Sequence, residues 1–107
     1  MTMINLTPHA ISFVSVDGNV IMKVEPSGQL ARVSVRKDVV CEIDGIPVKT
    51  SVFGEVEGLP EPKEDTIYLV SSIVAQRVTG RDDVFIPDDS IRDEQGRIIG
   101  CMSLGHI

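Results

Sequence analysis

The sequence predicts an α+β domain: a mainly antiparallel β-sheet or partly closed barrel of six to eight strands, with one short helix near residues 71–79. Three observations lead there. The apolar residues make up 42% of the chain, yet only Phe13, Phe53, Tyr68 and Phe85 are aromatic, so Val and Ile must build the core, and branched side chains pack well on a pleated surface. Three Gly-containing signals sit between apolar segments, where a two-residue hairpin turn needs positive φ. Only one stretch has apolar residues at helical spacing. With 107 residues the chain supports one core, and residues 1–107 are read as a single domain.

Taken in order, Asp17-Gly18 joins a strand over 10–16 to one over 19–24. A second turn, Pro26 to Gln29, precedes residues 30–36, where apolar Leu30, Val33 and Val35 alternate imperfectly with Arg32, Ser34 and Arg36; the odd-numbered members are expected to face the core and Arg32, Ser34 and Arg36 the other side. Two arginines on one face read as a solvated stripe that pairs with carboxylates, or as one wall of an anion site. Asp44-Gly45 joins 38–43 to 46–56, and Gln95-Gly96 brings in 97–104. Residues 57–65, charged and holding Pro60 and Pro62, form an exposed connection.

The stretch TIYLVSSIVAQRVTG, residues 66–80, starts as an apolar strand and turns helical at Ser71 and Ser72. Ser71 is the expected N-cap, Ile73, Val74 and Val78 the buried face, and Gly80 the stop; Arg77 and Arg81 stand near the negative end of the helix dipole.

The net charge of −6 argues against non-specific nucleic-acid binding, which depends on Lys and Arg neutralising phosphates. Cys41 and Cys101 are sixty residues apart without a CxxC pair, so neither zinc nor a disulfide framework is expected; their apolar neighbours suggest two buried, reduced thiols. No signal peptide or membrane helix is legible, and a cytosolic location is the expectation. No cofactor motif is present.

Three stretches can carry chemistry. The Ser71-Ser72 junction offers backbone N–H groups and two hydroxyls to an anion, and no Asp or Glu between Thr66 and Gly80 competes for them. In NLTPHAI, residues 5–11, Asn5, Thr7 and His9 alternate and would share a face if extended, with His9 suited to proton transfer; alternatively Thr7-Pro8 ends the first strand and His9 lies on the surface. The segment 80–97 holds Asp82, Asp83, Asp88, Asp89, Asp93 and Glu94, read as a solvated acidic loop because the calcium-loop spacing is missing. Arg81 beside Asp82 could frame a ligand there.

INLTPHAI, PSGQLARV, FGEVEGLPEPKEDTIYLVSSIVAQ, RDDVFIPDD and RDEQGRIIGC together cover nearly the whole chain, and their wording resembles a group of small proteins of bacteriophages and prophages. The resemblance implies a phage-associated origin and brings no catalytic residue with it. The expected function is capture of a small anionic, nucleotide-like ligand such as a host defence signal, by Asn5, Thr7, His9, Ser71, Ser72, Arg77, Arg81 and Asp82, without metal or cofactor. A homo-oligomer is expected, since a small domain gains by burying further apolar surface. The alternatives are an inhibitor of a host protein, which needs an exposed apolar patch or an acidic face, and a small enzyme with His9 as general acid or base beside Asp82 or Asp83.

Overall fold

The computed structural model describes residues 1–106. In chain order the elements are β1 (Thr2–Asn5), β2 (Ile11–Val14), β3 (Val20–Val24), β4 (Arg32–Ile43), β5 (Ile46–Glu57), β6 (Thr66–Leu69), α1 (Ser72–Arg77), β7 (Val84–Arg92) and β8 (Ile98–Gly105). Six strands form one sheet in the order β1-β6-β7-β8-β2-β3, while β4 and β5 pair only with each other. The sheet curls until its edges nearly meet: Asn5 bridges to Pro26, just after β3, and the Ser27 N–H donates to the Asn5 carbonyl at 2.9 Å.

The expected antiparallel, partly closed sheet fits roughly, with β2–β3, β7–β8 and β4–β5 antiparallel, but the six-stranded sheet is mixed. β1 with β6, β6 with β7, and β2 with β8 run parallel. Only the antiparallel pairs announce themselves locally, through a turn between neighbours. Asp44 and Gly45, at φ 49° and 81°, supply the positive φ at both central turn positions that the β4–β5 hairpin needs.

Alternation along the strands sorts the core into two layers. Met3, Ile11, Phe13, Val24, Leu69, Phe85, Cys101 and Leu104 pack together, so all six strands contribute to the barrel interior. Outside it, Ile4, Tyr68, Val84 and Ile86 meet Val74 and Ala75 of α1 and Val33 and Val56 of the ribbon. β6 is covered on both faces, so Ile67, Tyr68, Leu69 and Val70 are all buried, and its continuous apolar run follows from that.

Helix α1 is shorter than the 71–79 expected. Ser71 takes the N-cap position in extended conformation, but its hydroxyl makes no capping bond, and the chain is extended again at Val78. The buried residues are Val74 and Ala75, with Ile73 exposed, so the packed face is turned by about one residue from the one expected. Residues 80–97 are also corrected from an acidic loop: half of the segment is strand β7. Pro87 is tolerated there because β6 pairs with β7 only as far as Phe85, leaving one side of Pro87 without a strand.

β4 and β5 form an arm of twelve residues each, about 40 Å long at strand rise. The chain's longest dimension is 51 Å and its radius of gyration 16.9 Å, against about 13 Å for a compact domain of this size. Residues 30–36 are therefore the root of an arm. Val33 is half-buried at the root, packed against the outer core, and Val35, further out along the arm, is exposed, against the expectation that both face the core. Cys41 is exposed near the tip of the arm, which corrects its reading as a buried thiol; Cys101 is buried. Arg32 and Arg36 are exposed and paired with Glu57 and Asp38.

The arm leaves the body at Gly58, whose φ is 82° and whose missing Cβ would run into the Leu30 carbonyl. Gly18 has nearly the same φ with open space around it. Gly58→Ala is expected to cost about 2 kcal/mol or more, and Gly18→Ala only about 1 kcal/mol, in urea unfolding followed by circular dichroism. Equal losses would show that the close approach to Leu30 carries no strain.

Candidate functional site

In the β1–β6 ladder Asn5 lies opposite Leu69, and the two strands run in the same direction. Both leave the sheet at that level. Two residues on, Thr7 and Ser71 both line one cleft, which is how stretches more than sixty residues apart in sequence come together. Its volume is about 630 Å³. Thr7, His9 and Ser12 form one wall, Ser71 and Ser72 a second, and Ile86, Pro87, Ser90, Ile98 and Ile99 the rest. The carboxyl ends of parallel strands are a recurrent place for ligands, because the diverging chains leave a crevice.

Asn5 organises this cleft without facing it. The residue is 1% exposed and uses all its side-chain hydrogen-bonding capacity within the chain. Its amide Nδ2 donates to the carbonyls of His9 at 2.8 Å and Val24 at 3.1 Å. Its Oδ1 accepts from the Thr7 N–H at 2.9 Å and from the Thr7 hydroxyl at 2.6 Å. Asn5 is therefore a brace that sets the loop after β1 and ties it to β3, and its expected contact with a ligand is withdrawn. The loop bends, so Asn5, Thr7 and His9 do not share one extended face: Asn5 is buried, Thr7 half-buried and His9 exposed.

His9 lines the cleft at its open side. Among the described residues no carboxylate pairs with it and no side chain bonds to its ring, so the acid–base arrangement proposed with Asp82 or Asp83 is not assembled. The Ser71 hydroxyl, free of capping, and Ser72, exposed, are left to serve the cleft. α1 carries no acidic residue in its first turn.

Arg77, Arg81 and Asp82 lie away from the cleft. The Arg77 guanidinium lies 4.4 Å from the centre of the Phe53 ring, holding the root of the arm to α1. Arg81 is engaged by Asp83, not by Asp82: Nε and Nη2 donate to the two carboxylate oxygens at 2.8 and 2.9 Å, and Nη2 also donates to the Pro60 carbonyl. Asp83 is 8% exposed, and its hydrogen bonds from Arg81 hold its carboxyl below the usual carboxylate range against the opposing effect of burial. The pair pins the 57–65 connection to the start of β7. Asp82 borders a separate groove with Met1, Met3 and Lys63.

Among the described residues no Asp, Glu, Lys or Arg lines the cleft. Nothing local in the sequence marks Ile98, Ile99 and Gly100 of β8, or Ser90 of β7 paired beside them, as lining the cleft, because β8 reaches it by pairing with β2, a strand distant in the chain. Gly100 keeps that wall close: a Cβ there would sit 3.2 Å from the Ser12 carbonyl. Among the described residues no three His, Cys, Asp or Glu side chains gather as they would around a metal ion. Among the described residues no helix is long and apolar enough to cross a membrane.

No family model, curated protein or solved structure matches the chain.

Proposed function

We propose that this protein is a phage-encoded binding module that captures a small nucleotide-like anion, such as a host defence signal, in the cleft between Thr7 and Ser71. The observation that carries the reading is the meeting of Thr7 and His9 with Ser71 and Ser72 in one concavity. The cleft volume of about 630 Å³ is within the range of small-molecule sites. Ile86, Pro87, Ile98 and Ile99 suit the flat apolar face of a base, while the serine and threonine hydroxyls suit phosphate oxygens. Because no Lys or Arg reaches the cleft, charge is met by neutral donors and by His9. That favours a ligand of low charge, such as a phosphodiester, over a polyphosphate, whose desolvation neutral donors would not offset.

Capture requires no nucleophile, which agrees with an exposed His9 without an acidic neighbour. Native mass spectrometry of protein isolated from phage-infected cells should show a bound small molecule. The Ser71→Ala/Ser72→Ala double variant should bind it about a hundredfold more weakly or worse, the loss expected for two hydrogen bonds to a charged group. Undiminished retention by the double variant would remove these residues from the site.

A further inference from the structure

The arm formed by β4 and β5 leaves the body as a two-stranded ribbon, and an isolated ribbon is marginally stable in water because neither face is covered. Only its root is held, where Val33 and Val56 pack against the outer core. The register decides which side chains share a face further out. Arg36 stands opposite Val52, Asp38 opposite Thr50, Cys41 opposite Val48 and Ile43 opposite Ile46, and the bulge at Val40 adds that residue to the same side. The outer part of this face is thus Val40, Cys41, Ile43, Ile46 and Val48, without a charge. Val40, Ile43 and Ile46 are 60%, 61% and 65% exposed. The reverse face mixes Lys37, Glu42, Lys49 and Ser51 with Val35, Val39 and Pro47, of which Val39 is 60% exposed. Over the outer part of the arm charge is thus confined to the reverse face.

We infer that the apolar face of the arm docks on the same face of a second copy of this chain, arm against arm about a two-fold axis. Three features select a second copy as the occupant. The arm, residues 32–57, holds four basic and five acidic residues, leaving six basic and eleven acidic on the rest of the chain. Contact through the arms therefore joins the nearly neutral parts and keeps the acidic bodies apart. On the docking face the only charges, Arg36 and Asp38, already neutralise each other at 3.1 Å, so its copy opposes it with no unpaired like charge. Each face offers on the order of 500 Å² of apolar surface, and two together remove about 1,000 Å², the lower bound for a specific interface. A ribbon that needs cover whenever the chain is folded is also best served by a partner always present at equal concentration. This inference is independent of the cleft and its ligand.

Sedimentation velocity over a micromolar concentration series, combined with maleimide labelling of Cys41, tests it. The wild-type protein should sediment as a dimer with Cys41 protected, and the buried Cys101 should stay unreactive throughout. Ile43→Glu, at an exposed position that folding does not require, should leave the circular dichroism spectrum unchanged. It should weaken dimerisation at least a hundredfold and speed Cys41 labelling at least tenfold. A wild-type monomer with freely reactive Cys41 would overturn the inference. So would an assembly that survives Ile43→Glu, or one lost instead on Ile98→Glu, which would place the contact at the cleft. A monomer whose bare arm captures a different protein would overturn it as well.

Discussion

Asn5→Asp is expected to destabilise the protein by about 2 to 4 kcal/mol at neutral pH, although the two side chains have nearly the same shape. The amide that donates to the His9 and Val24 carbonyls becomes an oxygen facing two oxygens, at a site 1% exposed to solvent. The backbone and hydroxyl donors of Thr7 satisfy only the other oxygen. A proton would restore one donor, so the folded state should raise the pKa of the substituted carboxyl above its unfolded value near 4. The sign follows from linkage: the variant is least impaired in acid, and loses stability as pH rises from the unfolded pKa to the raised folded one. Because Asn5 sets the loop that carries Thr7 and His9, the variant should also lose ligand retention at pH 7 and recover part of it at pH 5. Urea titrations at both pH values measure the first effect and native mass spectrometry the second. A penalty independent of pH would show that the brace acts through shape alone.

Asp83→Ala is the other large effect, expected to cost about 3 to 5 kcal/mol, because it strands a guanidinium whose side chain is only 18% exposed. Arg81 would keep its bond to the Pro60 carbonyl but lose both carboxylate acceptors. The double variant Arg81→Met/Asp83→Ala should be less impaired than Asp83→Ala, since it removes the stranded charge as well; a double variant equal to the sum of the two singles would deny the coupling. The pair also sets an acid limit. Hydrogen bonds from Arg81 lower the Asp83 pKa in the folded state, so its stabilisation is complete above the unfolded carboxyl pKa and is lost as pH falls through the lowered folded value. Acid titration of the Asp83→Asn variant should lack that part of the wild-type loss.

The turns were legible in the sequence because a two-residue hairpin requires positive φ, and Asp44-Gly45 meets that requirement in the folded chain. The strand-to-helix change after Leu69 was legible for a related reason: an apolar run with no alternation fits a strand covered on both faces, and β6 is one. What could not be read were relations with no local cause. Nothing between Asn5 and Thr66 announces that β1 and β6 pair in parallel, yet that pairing brings Thr7 and Ser71 to one cleft. Arg81 stands next to Asp82 in sequence, but the chain bends at Asp82 and Asp83 and it is the Asp83 carboxylate that meets the guanidinium. Alternation puts Val35 in line with Val33, but the arm projects past the core that Val33 meets, so Val35 stays exposed. Cys41 was misjudged because apolar neighbours mean burial on a covered strand and not on a projecting arm.

The central claim is that the crevice where β1 and β6 leave the barrel is a ligand site, and backbone amide NMR reads it most directly. With a panel of mononucleotides and cyclic dinucleotides added to the isotope-labelled protein, the account predicts saturable shifts concentrated at residues 7–12, 70–72 and 98–101 for at least one phosphodiester. Shifts confined to the arm or to the groove beside Asp82, or no saturable shift with any molecule retained from infected cells, would contradict it.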